Sequence, residues 1–63
     1  MWYCVIRLHD YRMLYHGTDE QTAVTLNVPG THLAQANSMG HAQKRAVIEA
    51  GYLRRGATPP PRG

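Results

Sequence analysis

Pro29-Gly30-Thr31-His32-Leu33-Ala34-Gln35-Ala36-Asn37-Ser38, followed by alanines at 42, 46 and 50, is the stretch whose reading decides the fold. Pro-Gly ends whatever precedes it and turns the chain. Residues 31–36 then read as a strand. Ser38 (or Asn37) offers a side-chain oxygen to the orphan N–H groups of a following helix. That helix is expected from Met39 to Ala50 or Arg55. Met39, Ala42, Ala46, Ala50 and Leu53 share one face, with Val47 beside them. Alanines at every fourth position let a helix approach a sheet closely. Gly51 is one candidate for its left-handed terminator and Gly56 the other.

Upstream, residues 2–8 alternate, with Trp2, Cys4, Ile6 and Leu8 on one side and Tyr3, Val5 and Arg7 on the other. The aromatic and β-branched content predicts a strand with one buried face. His9-Asp10-Tyr11 supplies a turn, and Arg12 to His16 predicts a second strand ending at Gly17, close enough for an antiparallel hairpin. Thr18-Asp19-Glu20-Gln21 fits a capping box for a short helix over 19–26, with acidic residues at the positive end of its dipole. The β-branched run Thr22 to Val28 equally allows a strand there. The resulting expectation is an α+β domain of order β-β-(α)-β-α, a small antiparallel sheet with one face covered by the C-terminal helix.

A chain of 63 residues holds one domain. Residues 1–55 are assigned to it, and 56–63, rich in Pro and Gly, are expected to form a flexible tail. About 55 folding residues give a core that is thin without a disulfide, metal or partner. Cys4 is the single cysteine, so no internal disulfide forms and a reducing, cytoplasmic compartment is expected. No apolar run reaches the length of a membrane span, and the opening residues lack the basic region of a signal peptide.

The net charge of +3 is unevenly placed. Through Gly40, Arg7 and Arg12 stand against Asp10, Asp19 and Glu20, giving −1. From His41 onward, Lys44, Arg45, Arg54, Arg55 and Arg62 stand against Glu49, giving +4. Such asymmetry points to a polyanion or an acidic protein surface, or to a solvated helix face that aids solubility.

Catalytic chemistry finds little footing. His9, His16, His32 and His41, with Cys4 and Asp10, lack the tight pair spacing of a structural zinc site. Cys4 lies on the alternating face of Trp2 and Ile6, the ordinary place of a small buried thiol. The carboxylates form no spaced pair within one element, and the dispersed glycines form no phosphate loop. A non-enzyme without metal or cofactor is therefore expected.

Two surfaces suggest binding. Tyr3, Tyr11 and Tyr15 are expected on the sheet face away from the helix, suited to a protein interface or to stacking on bases with Arg7 and Arg12 nearby. On the helix, His41, Arg45, Ile48, Tyr52 and Arg55 form a stripe opposite the alanines, with burial under the proline-containing tail as its plain alternative. The expected function is a small protein-interaction or regulatory module, a homo-oligomer or bound to a partner protein. Tyr3, Tyr15, Arg45, Ile48 and Tyr52 would make the contacts. The alternative is sequence-tolerant nucleic-acid binding by Lys44, Arg45, Arg54 and Arg55.

From Pro29 to Ala50 the pattern resembles the small antitoxin domains of the HicB type. The residues that carry it are Pro29-Gly30, Asn37-Ser38, Ala42 and Ala46, with Ala50 near the family's next small position. The resemblance implies a β-β-β-α sheet-and-helix fold, dimerisation and binding of a partner protein, without catalysis.

Overall fold

The fold follows from how each segment satisfies its backbone, seen in a computed structural model that describes residues 1–59. Strands β1 (Trp2–Arg7), β2 (Met13–Gly17) and β3 (Thr31–Ala36) form an antiparallel sheet in the order β2-β1-β3. Helix α1 (Glu20–Leu26) lies between β2 and β3 in the chain, and α2 (Met39–Arg54) follows β3. The α+β class and the β-β-α-β-α order are those expected, and α2 covers one face of the sheet.

The β1–β2 loop is closed by Asp10. Arg7 donates to its carboxylate from Nε at 3.0 Å and from Nη2 at 2.6 Å, and the Arg12 N–H donates at 3.1 Å. Tyr11 completes the turn with φ 60°, an uncommon conformation for a non-glycine residue. At the other end of β2, Gly17 makes room for an aromatic ring. A methyl there would sit 2.5 Å from the Tyr15 hydroxyl, which accepts the Asp19 N–H at 3.0 Å.

Helix α1 is capped by Asp19 rather than by Thr18. The Asp19 carboxylate accepts the Gln21 N–H at 3.2 Å and also the Thr22 hydroxyl. Thr22, Val24 and Thr25 are weak helix formers, so the cap and the burial of Ala23 decide against a strand. Val28-Pro29-Gly30-Thr31 then makes a type II turn. Thr31 N–H donates to Val28 C=O at 3.1 Å, and Gly30 supplies the required positive φ of 89°.

Helix α2 begins at Ser38, whose hydroxyl accepts the His41 N–H at 3.3 Å. It ends in a Schellman motif. Ala57 N–H reaches Tyr52 C=O at 2.9 Å, Gly56 N–H reaches Leu53 C=O at 3.0 Å, and Gly56 has φ 72°. Gly56, not Gly51, is the terminator. The motif reverses the chain, bringing Pro59 back beside Ile48 and Lys44. Of the tail expected over 56–63, Gly56 and Ala57 close the helix in this way, and 60–63 lie outside the described residues.

Two buried clusters flank the sheet. On the α2 side, Cys4, Ile6, Ala34 and Ala36 meet Ala42, Ala46 and Ala50, with Trp2 and Leu8 at the margin. Met39, Val47 and Leu53 are exposed, so the packed stripe is narrower than the helical pattern suggests. On the other side, Tyr3 and Val5 pack on Ala23 with Leu14, Tyr15, Leu26 and Leu33. The expectation of one buried face for β1 is corrected here. As the central strand, β1 is covered on both faces, and the unbroken apolar run Trp2 to Ile6 carries that signal as well as alternation does.

Candidate interaction surface

Tyr3 is 8% exposed beneath α1 and belongs to the core, not to an open face. Burial and the neighbouring Glu20 carboxylate push its hydroxyl above the ordinary tyrosine range. Tyr15 is half-buried in the same cluster, its hydroxyl tied to Asp19. Tyr11 lies on the opposite side, with the Arg54 guanidinium 4.8 Å from its ring centroid. The aromatic platform expected on the outer sheet face is therefore absent, because α1 occupies that face. What could have shown this is the cap at Asp19 together with Ala23, which places a helix where solvent was expected.

The α2 stripe survives as a surface. Ile48 is 48% exposed, and Arg45 and Tyr52 are half-buried on the same side. This side of α2 overhangs β3. Arg45 Nη1 donates to Gln35 C=O at 2.9 Å, and the His32 ring nitrogen Nε2 pairs with the Glu49 carboxylate at 2.7 Å. Along the same side of α2 lies a cleft of about 240 Å³ lined by His41, Lys44, Arg45, Ile48, Glu49 and Pro59. A second hollow of about 440 Å³ continues past His41 and Arg45 to Gln35, Ala36, Asn37 and Met1. Together they form a groove with three basic side chains and an apolar patch at Ile48.

The four cations named for nucleic acid do not gather. Arg45 and Arg54 are nine residues apart, about two and a half helical turns, and so project from opposite flanks of α2. Arg54 stacks on Tyr11, while Arg55 sits 5.0 Å from the ring centroid of Tyr52. Lys44 is exposed at the groove.

The histidines are dispersed as well. His16 donates from Nε2 to Met39 C=O at 2.9 Å and meets Trp2 edge to face, with ring centroids 6.1 Å apart. His9 stands 3.6 Å from Asp10, and His32 faces Glu49. Among the described residues no three His, Cys, Asp or Glu side chains converge on one point. Cys4 is buried, and burial pushes its thiol above the ordinary range. Among the described residues no helix is long and apolar enough to cross a membrane.

Comparison of the chain with protein-family models, with characterised proteins and with solved structures finds no match.

Proposed function

We propose that this chain is a small, non-catalytic protein-interaction or regulatory module of the cytoplasm that self-associates through the outer side of α2. The observation that carries this is the contrast between a small core and a large exposed side chain. Among the described residues, six of the ten buried apolar ones are alanine. Ile48, flanked by Arg45 and Tyr52, is meanwhile left half in solvent over a groove. Apolar and aromatic residues beside arginine are the composition that protein interfaces favour. A domain of this size also gains stability from a partner that buries more apolar surface. The α2 residues Arg45, Ile48 and Tyr52 form the contact, while Tyr3 and Tyr15, packed beneath α1 on the other face of the sheet, take no part in it. The dimerisation implied by the resemblance to HicB-type domains agrees with this reading.

Sedimentation equilibrium at micromolar concentration tests it. The parent should sediment as a dimer, and Ile48→Asp should shift it to monomer without loss of helical signal in circular dichroism. A parent that is monomeric and thermally robust overturns the proposal.

A further inference from the structure

The two edges of the sheet are not alike. Along β1–β2 the register slips between Val5 and Ile6, a bulge that twists the β2 edge. Along β1–β3 six pairs run from Trp2↔Ala36 to Arg7↔Thr31 without interruption. The sequence of β3, Thr-His-Leu-Ala-Gln-Ala, holds no proline and no Lys, Arg, Asp or Glu. These are the devices by which natural edges refuse a further strand.

The register also fixes which backbone groups face outward. Leu8 N–H donates to Gly30 C=O at 2.9 Å, so even-numbered residues of the two strands face each other across the ladder. Leu33 and Gln35 therefore turn their N–H and C=O groups away from β1. Among the described residues these N–H groups meet no backbone acceptor, and the Gln35 carbonyl is held by Arg45. Beside this edge lie His41 and Arg45, with Lys44 next to them in the adjoining cleft, in the half of the chain that carries the positive charge.

We infer that the β3 edge accepts an extended, acidic segment of a partner protein as a fourth strand. Leu33 and Gln35 would supply the backbone pairing, and His41, Lys44 and Arg45 would receive carboxylates from alternate residues of the incoming strand. Arg45 would exchange its hold on Gln35 C=O for a carboxylate of the guest, a stronger charge-assisted partner. Strand addition of this kind takes affinity from the main chain and selectivity from alternate side chains. A nucleic acid satisfies the cations but has no alternating N–H and C=O row to match the edge. The inference rests on the reading of this side of α2 as an interaction surface, and it names the partner's chemistry.

The test uses the full chain and an end-blocked peptide of alternating valine and glutamate. Binding should slow amide hydrogen exchange at Leu33 and Gln35 by at least about tenfold. Methylating one alternate set of the peptide's backbone nitrogens should abolish binding, and methylating the other set should spare it. Replacing glutamate by lysine should also abolish it. Gln35→Pro removes an outward N–H on an edge strand, where proline is tolerated. It should leave the thermal melt near that of the parent and lose the peptide.

No binding at a concentration on the order of 1 mM overturns the inference, and so does binding that ignores the methylation pattern. If Leu33 and Gln35 are already protected in a concentration-dependent way, the guest is a second copy and the acidic-peptide assignment falls. Tighter binding of an oligothymidylate that leaves these amides unprotected assigns the groove to nucleic acid and likewise overturns it. Self-association lost in Ile48→Asp with no peptide binding in the parent rejects strand addition alone. Peptide binding by a monomeric parent rejects only the self-association.

Discussion

Helices α1 and α2 seat on opposite faces of the same sheet by opposite means. Beneath α2 the sheet offers Cys4, Ile6, Ala34 and Ala36, and the helix answers with three alanines. Small meets small, so backbones approach closely and a sixteen-residue helix fixes the geometry along its length. Beneath α1 the sheet offers Tyr3, Val5, Leu14, Tyr15 and Leu33, while the seven-residue helix buries only Ala23 fully. There the strands carry the bulk and the helix is a cover. The long helix defines the fold, and the short one hides a face that would otherwise be sticky.

The largest expected effect comes from breaking the tighter face. Ala46 is fully buried at the middle of the alanine stripe. Ala46→Leu inserts three carbons where sheet and helix backbones are close, at a cost of about 1–3 kcal/mol. That is a large share of the stability of a domain this small. Lys44→Leu, two residues away on the exposed side, should change stability little. Urea melts of both variants check the comparison, and equal midpoints would mean that the alanines do not set the spacing.

The cover on the other face depends more on its cap than on its packing. A helix of seven residues is far below the length that holds in isolation. Asp19→Ala removes the acceptor for Gln21 N–H and Thr22 hydroxyl, and should cost about 1 kcal/mol. Because α1 contributes only Ala23, with Leu26 at the margin, the loss should be local. Hydrogen exchange should accelerate at Ala23 and Val24 while the amides of Ala46 and Ala50 keep their protection. Uniform acceleration would show that the two faces unfold as one unit.

The same asymmetry explains what was legible in the sequence. A stripe of alanines after Ser38 announces a helix and its buried side, and Pro29-Gly30 announces the strand start, because each is a local rule with a local cause. The bounds of β3 follow from them, whereas the choice of Ser38 over Asn37 and of Gly56 over Gly51 as the ends of α2 does not. The side of β1 that carries Tyr3 and Val5 was not legible in this way. Its burial depends on where a short helix lands, which alternation within β1 does not encode. The groove is harder still. Ile48, Arg45 and Tyr52 can be placed on one side of α2 by periodicity. That this side overhangs the β3 edge rather than the hairpin depends on strand order, and the order β2-β1-β3 is a tertiary choice.

The smallest effect distinguishes the faces by their neighbouring titratable groups, Cys4 beneath α2 and Tyr3 beneath α1. Burial holds the Cys4 thiol above its ordinary range, and burial with Glu20 nearby does the same for the Tyr3 hydroxyl. A group whose folded value is raised binds its proton more tightly in the folded chain. Its contribution is complete below the unfolded value and is lost as pH rises toward the folded one. Stability should therefore begin to fall near pH 8.5 as unfolded Cys4 ionises, and fall further from about pH 10 as unfolded Tyr3 does. Cys4→Ala should remove the first decline and leave the second, whereas Tyr3→Phe should do the reverse. The check is the urea midpoint measured from pH 7 to pH 11. An alkaline decline of unchanged shape in both variants would place its origin outside these two residues, and the pairing of one buried proton with each face would fail.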